Sequence, residues 1–281
     1  MQTLVEVIKK TEVYFRNKGI SSPRLEVDLI MGKVLGLSRL DLYMHFDRPL
    51  TEAELSPLRE LVRRRARREP LAWILGSQGF YNEEFLVHPN VLVPRPDTEE
   101  LVEAALEMLP ADEDAVVVDI GSGTGCVGLT LALERPKLRV YSIDVSAAAL
   151  TCTQANIDKF DLSERVTLLE GSLLSPLPAD LTVDLIVSNP PYIETDDLAG
   201  LEPEVSTHEP RLALDGGADG LDIYRTLIPA AASRARRGVL VEVGAGQAEA
   251  VSALFRAAGL IDIATRKDLG GHERVVSGRI A

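Results

Sequence analysis

From about residue 115 onward the chain alternates short apolar runs with stretches of helical spacing, an order that few folds accommodate. The apolar runs fall at 116–120, 140–144, 166–169, 185–188, 239–243 and 261–265. Helical patterns run to about 134 after the first of them, and over about 147–159 and 247–258 between later ones. A run that is apolar on both faces must be covered on both sides, and a helical crossover brings the next strand back parallel. The expectation is an α/β protein with a doubly wound, Rossmann-like, mostly parallel sheet. Ligands of such sheets sit beyond the carboxyl ends of the strands.

The first 75 residues have no such alternation. Leu4, Ile8, Thr11 and Phe15 follow helical spacing up to Gly19. Ser22 and Pro23 read as an N-cap with proline at the first helical position. Leu25, Leu29, Ile30, Val34 and Leu37 supply an apolar face to that helix. Thr51 and Glu54 form a capping box ahead of a helix that runs into arginines. This predicts a small helical bundle over 1–75. Over 76–95, Phe80, Tyr81, Phe85, Leu86 and Val87, then Val91, Leu92 and Val93, read as strand pieces around a turn at Asn82-Glu83-Glu84, a hairpin linking two modules. After Pro94-Arg95-Pro96, Asp97 or Thr98 caps a helix through Leu109, which opens a catalytic domain over 96–281.

Charge separates the two modules. Residues 1–75 hold 14 basic and 10 acidic side chains; the remainder holds 16 basic and 33 acidic. So acidic a module repels a phosphate backbone, which argues against direct nucleic-acid binding. No apolar run reaches the roughly 18 residues of a membrane span. The N-terminus lacks the apolar stretch of a signal peptide, so no membrane contact and a cytoplasmic location are expected. Two cysteines, Cys126 and Cys152, exclude a disulfide scaffold.

Two motifs carry the chemistry. The first is Asp119-Ile120-Gly121-Ser122-Gly123-Thr124-Gly125. Glycines after a first strand allow a tight turn and close approach to a ligand. Gly123, Gly125 and Gly128 also satisfy a dinucleotide pattern, which is weak alone. Asp119, at the strand tip, would repel a pyrophosphate and suit an ammonium. Asp144 ends the second strand, where an acid binds ribose hydroxyls. A ribose and an amino-acid head without phosphate describe S-adenosylmethionine.

The second motif is Asn189-Pro190-Pro191-Tyr192, directly after an apolar strand. Its prolines stiffen the loop. The Asn189 side-chain oxygen and the Pro190 carbonyl are two acceptors for the two hydrogens of a planar NH2 group, and Tyr192 offers an aromatic face. Gripping both hydrogens aims a delocalised nitrogen lone pair at an electrophile such as a sulfonium methyl.

Together these motifs resemble S-adenosylmethionine-dependent methyltransferases of amino groups, which act on adenine N6, guanine N2 or glutamine N5. Further segments narrow the resemblance. Arg68-Glu69-Pro70-Leu71-Ala72-Trp73-Ile74-Leu75-Gly76, Val93-Pro94-Arg95-Pro96-Asp97-Thr98-Glu99, Glu202-Pro203-Glu204-Val205, His208-Glu209-Pro210-Arg211 and Ala213-Leu214-Asp215-Gly216-Gly217 are similar to the HemK/PrmC family, as are Asp219-Gly220-Leu221 and Lys267-Asp268-Leu269-Gly270-Gly271. These are the protein-(glutamine-N5) methyltransferases of peptide-chain release factors. The resemblance implies S-adenosyl-L-methionine as cofactor and the glutamine of the Gly-Gly-Gln loop of class I release factors as acceptor. It implies that Asn189, Pro190, Pro191 and Tyr192 hold the amide, that Asp144 binds ribose, and that Gly121–Gly125 pass beneath the methionine part. Its N-terminal bundle would contact the release factor, the enzyme acting as a monomer. Ser172, followed by Leu173, stands where the family usually has an acid that contacts adenine. The alternatives are amino-methylation of a nucleic-acid base and a non-catalytic S-adenosylmethionine-binding module.

Other residues have plainer readings. Arg63, Arg64, Arg65, Arg67 and Arg68 read as a solvated helix end. Cys126 reads as a packing residue, although a helix start can lower a thiol pKa. Arg95 reads as a loop-orienting or surface charge, His208 as no part of a metal site, and Glu242 as packing at the end of a strand.

Overall fold

The computed structural model describes residues 2–109 and 111–281. The chain forms two compact units. One takes the chain up to Ser77 together with Glu202–His208; the other takes Gln78–Leu201 and Glu209–Ala281. The seven residues 202–208, assigned from sequence to the catalytic domain, thus cluster with the helical unit.

In the helical unit, the helices are α1 (Leu4–Asn17), α2 (Pro23–Leu35), α3 (Arg39–Met44), α4 (Glu52–Ala66) and α5 (Leu71–Leu75). Glu54 accepts from the N–H and the hydroxyl of Thr51, closing the start of α4. The core stripe of α2 differs from the expected one. Val27, Ile30 and Met31 are buried, whereas Leu25 and Leu29 are 43% and 40% exposed. Two apolar stripes overlap on this helix, and Phe15, Leu55 and Leu58 of the neighbouring helices pack on the first.

The arginine run is not a solvated face. Arg65 is buried, and its guanidinium meets Glu26 at 2.5 Å and Glu204 at 2.6 Å. Arg68 meets Glu204 at 2.5 Å and Arg64 meets Glu69 at 2.5 Å, while Arg63 stays exposed. The burial cost of Glu204 is exceeded by its bonds from Arg68 and Arg65, which hold its carboxyl below the usual range. A turn of π-helix, Glu204–His208, carries this acid.

The second unit begins with a hairpin of β1 (Ser77–Phe80) and β2 (Glu83–Leu86). Its turn is Tyr81-Asn82, with Tyr81 at φ 56°, so Glu83 and Glu84 are strand rather than turn. Tyr81 is pinned by Glu99 on its N–H and Glu103 on its hydroxyl. Val91, Leu92 and Val93 form no strand. Val91 and Val93 are buried, so their apolar character serves packing and not a ladder. Phe80 and Phe85 belong to the core of this unit, so the hairpin is part of its body rather than a bare linker.

The main elements follow: α6 (Glu99–Met108), β3 (Ala115–Ile120), α7 (Cys126–Glu134), β4 (Leu138–Asp144), α8 (Ala147–Lys159), β5 (Val166–Glu170), β6 (Val183–Ser188), α9 (Asp222–Ala232), β7 (Ala235–Glu242), α10 (Ala248–Ala257), β8 (Ile261–Lys267) and β9 (Glu273–Arg279). The strands order as β5-β4-β3-β6-β7-β9-β8, parallel through β7 and antiparallel at β9 and β8. This is the expected doubly wound sheet, with α9 and β9 added to the elements read from sequence.

Successive β3 residues face opposite cores. Val117 joins a cluster with Leu101, Leu129 and Leu138, and Val118 joins one with Tyr224, Leu227 and Phe255. The chain moves outward from β3 to β4 and β5, then returns to β6 on the other side of β3. That reversal is the switch point where such sheets bind ligands.

Arg65→Ala would leave Glu26 and Glu204 facing each other without their shared cation. We expect a loss of about 3–5 kcal/mol in urea unfolding of the full chain, against under about 0.5 kcal/mol for Arg63→Ala.

Candidate active site

Register places the two motifs side by side. Ile120 pairs with Ser188, and Ser188 pairs with Val241. The glycine loop after Ile120, the Asn-Pro-Pro-Tyr segment after Ser188 and Glu242 after Val241 therefore leave the same edge of the sheet. The Ser188 hydroxyl donates to the Ile120 carbonyl at 2.7 Å and locks the first pair.

The glycine loop is held from below and behind. Thr153 and Asn156, one turn apart on α8, donate to the carbonyls of Gly123 (3.0 Å) and Thr124 (2.9 Å). The Asn156 amide also exchanges hydrogen bonds with the Leu86 backbone, tying the hairpin to the loop. Neither residue was legible as a site residue, because a polar side chain on a helix face carries no signature of what it meets.

The N–H groups of the four residues Gly121, Ser122, Gly123 and Gly125 are already committed. Gly121 and Ser122 donate to the Ile143 carbonyl at 2.8 and 3.1 Å. Gly123 donates to Asp144 Oδ2 at 2.9 Å, and Gly125 to the Ser122 carbonyl at 2.7 Å. A dinucleotide loop needs free N–H groups for its pyrophosphate, so this loop does not provide one. The other Asp144 oxygen accepts from Ser146 N–H at 2.9 Å.

Asp119 is buried and accepts from Gly128 N–H at 3.0 Å. Gly128 permits that approach: a Cβ there would lie 2.9 Å from Asp119 Oδ2. Burial pushes the Asp119 carboxyl up to about 7, the Gly128 bond opposes the shift, and the charge of Asp144 adds to it. Burial also pushes Cys126 up to about 12, so its helix-start position does not activate the thiol.

A cleft opens between this loop and the segment before α6. It is lined by Leu92–Arg95, Thr98, Asp119, Gly121–Thr124 and Asn189, with Cys126 and Val127 behind. Six of the residues singled out from sequence meet there: Asp119, Gly121, Ser122, Gly123, Thr124 and Asn189. Gly125, Asp144, Ser172, Leu173, Pro190, Pro191 and Tyr192, expected at the site, do not line it. Ser172 is exposed, and Leu173 takes φ 52° in the turn after β5. Arg95, a lining cation, is committed to both oxygens of Glu209 at 2.8 Å.

Asn189 donates through Nδ2 to the Thr98 hydroxyl at 3.2 Å. Tyr192 donates to Glu242 Oε1 at 3.2 Å, so its hydroxyl points inward to the sheet. Glu242 is buried; burial pushes its carboxyl up to about 7, with hydrogen bonds from Thr98 and Tyr192 opposing. Glu242 thus stands at the end of its strand, as the sequence placed it, with the Tyr192 hydroxyl against it.

With a buried acid at the strand tip and the N–H groups of all four of Gly121, Ser122, Gly123 and Gly125 spent, the cleft suits a cationic, phosphate-free ligand. That is the demand of an S-adenosylmethionine-dependent methyltransferase, whose cofactor is a sulfonium with an amino-acid head. Comparison with known proteins leads to the same class. The family model of the PrmC N-terminal domain matches residues 6–76, and that of the methyltransferase small domain matches 99–201. The release factor glutamine methyltransferase of Geobacter sulfurreducens is 48% identical over 280 residues, covering 99% of this chain and 97% of that protein. The protein of the same name from Caulobacter vibrioides is 41% identical over 278 residues, covering 98% and 96%. Among solved structures, the hMettl16 catalytic domain with a MAT2A 3'UTR hairpin shares the fold at 13% identity, with a TM-score of 0.57 and coverage of 85% and 84%. The chain belongs to the release factor glutamine methyltransferase family.

Asp119 and Glu242 make one contribution to the pH response of stability, beside the raised carboxyl of Glu209 and the lowered one of Glu204. A group that titrates near 7 when folded and near 4 when unfolded binds more protons in the folded state between those values. Stability is then full at low pH and falls as pH rises to about 7, by about 1.4 kcal/mol per unit of pKa difference. Urea titrations at several pH values should show this fall, and Asp119→Asn, which can still accept from Gly128, should flatten part of it.

Proposed function

We propose that this chain transfers a methyl group from S-adenosylmethionine to the side-chain amide nitrogen of the glutamine in the Gly-Gly-Gln loop of class I release factors. The observation that carries the reading is the Asn189 amide, held by Thr98 at the cleft wall, one sheet register from the glycine loop. When bound, the cofactor supplies an electrophilic methyl on sulfur.

The chain's own residues supply orientation. Asp119 lies where the cationic head of the cofactor would sit, and Asp144 serves its ribose while keeping Gly123 and Ser146 in place. Ser172 and Leu173 stand at the adenine end. A serine hydroxyl accepts more weakly from the adenine amine than a carboxylate would.

Asn189 Oδ1 and the Pro190 carbonyl accept the two hydrogens of the incoming amide, and Pro191 stiffens their spacing. Tyr192 presents its ring to the amide plane while Glu242 holds its hydroxyl. With the cofactor bound, the nitrogen–carbon bond would form as its sulfur–carbon bond breaks, and the amide nitrogen held by Asn189 and Pro190 would then lose its proton to solvent. No strong base is needed before attack, because the methylated amide is acidic.

The partner is a release factor, a protein that works on RNA and so presents basic surface to an acidic unit. No helix among the described residues is long and apolar enough to cross a membrane. A cytoplasmic monomer, acting without direct nucleic-acid contact, completes the reading.

The test is transfer of labelled methyl to unmethylated release factor and to the same factor with its loop glutamine changed to alanine. Label should enter the first only. Asn189→Ala should lower kcat at least about a hundredfold with cofactor affinity kept. Asp144→Ala should weaken cofactor binding about tenfold by calorimetry, since it removes a ligand group and loosens the loop. Label on both factors, or wild-type turnover by Asn189→Ala, would overturn the reading.

A further inference from the structure

We propose that Gln247 is a positioning residue for methyl transfer: its side-chain amide fixes the Tyr192 carbonyl and, through Pro191, the Pro190 carbonyl that receives the acceptor amide. The inference rests on the reading of Asn189–Tyr192 as the segment that holds the acceptor. It assigns the hold on that segment to a side chain 55 positions further along the chain.

The need for an outside hold follows from the segment's own residues. Pro190 and Pro191 carry no N–H, so neither can be pinned by donating to a neighbour. They can be held only through carbonyls or from the two ends. At the front, the Ser188 hydroxyl donates to the Ile120 carbonyl at 2.7 Å. At the back, the Ile193 N–H donates to the Leu214 carbonyl at 2.9 Å, and the Gly216 N–H donates to the Ile193 carbonyl at 2.8 Å. Between these ends, the Tyr192 carbonyl accepts from Gln247 Nε2 at 2.9 Å. Proline locks φ near about −65°, so the loop passes a shift of Tyr192 on to Pro190 instead of absorbing it.

The Gln247 amide works in one orientation only. Its Oε1 accepts from the Gly244 N–H at 3.0 Å while Nε2 donates to Tyr192. An N–H only donates and a carbonyl only accepts, so a half-turn of the amide would lose both bonds. Gln247 occupies the N-cap of α10, yet its side chain makes no capping bond there. It is used instead to join the end of β7 to the segment after β6. Its own backbone is fixed by the helix. The Val251 N–H donates to its carbonyl at 3.0 Å, and Val251 and Phe255 are buried in one core cluster with Tyr224 and Val241. The bond is also closely enclosed. A Cβ on Gly220 would overlap both Gln247 Nε2 and the Tyr192 oxygen, and one on Gly216 would lie 2.8 Å from the Tyr192 Cα.

The experiment uses the full chain and two variants that break the same bond from different loops, so it stands if one of them fails to fold. Gln247→Glu keeps an acceptor for the Gly244 N–H and removes only the donor to Tyr192. Gly220→Ala forces the two atoms of the bond apart. In methyl transfer to unmethylated release factor, each should lower kcat at least about tenfold, since a misplacement of about 1 Å can cost about a hundredfold. The release-factor KM and the cofactor Kd should stay within about twofold of wild type. The double variant should be no slower than the slower single one, because both remove one bond. Hydrogen exchange with no acceptor present should be at least about tenfold faster at the Ile193 amide in both variants, with the amides of β3 and β6 within about twofold of wild type. A wild-type kcat in Gln247→Glu overturns the proposal. So does a loss confined to KM or to cofactor Kd, or losses that multiply fully in the double variant. If wild type fails to label the release factor while Ile193 exchange responds as expected, the substrate reading falls and the hold of Gln247 on the segment stands.

Discussion

Parallel pairing of β3 with β6, and of β6 with β7, is the constraint on which the site depends. Ile120, Ser188 and Val241 lie on one line across three strands, and the glycine loop, Asn189 and Glu242 follow one residue later. A slip of one residue would turn Asn189 to the other face and exchange the two cores, since Val117 and Val118 serve opposite sides. The apolar runs that form the sheet therefore also set the distance between the glycine loop and the Asn189–Tyr192 segment. The Ser188 hydroxyl on the Ile120 carbonyl adds a directional lock that hydrophobic burial alone cannot supply.

The second constraint is electrostatic. Asp119 and Glu242 stand at strand tips with almost no solvent, and each loses stability by being ionised there. Neither has an arginine against it of the kind Glu204 has in Arg65 and Arg68. Apolar side chains would make a firmer sheet edge. Stability is thus given up at the two strand tips that border the cleft and the Asn189 segment.

Much of this was legible because its signals are local. The glycine loop, the Asp144 strand end and the proline-stiffened motif each lie within a few residues, and apolar runs with helical spacing announced the sheet. Relations across the chain were not legible. Thr153 and Asn156 look like ordinary helix polar residues until they meet the loop carbonyls. Thr98 looks like a helix cap, and its hydroxyl is used 91 residues away. Arg65 looked solvated because its acids are 39 and 139 positions distant. Val91–93 looked like strand because burial and strand formation share one apolar signal. β9 was missed because charge and glycine interrupt it, while β7 and β8 flank it on both sides.

Glu202–His208 returns to the helical unit 125 residues after that unit's first stretch ends at Ser77. The unit is therefore discontinuous in sequence, and its ion network closes only once the chain has been made past Glu204. During synthesis from the N-terminus, Arg65 and Arg68 emerge long before their shared acid. The first helices can assemble on their apolar core, but the last buried charges of that unit must wait for the motif-bearing strand β6 to leave the ribosome first.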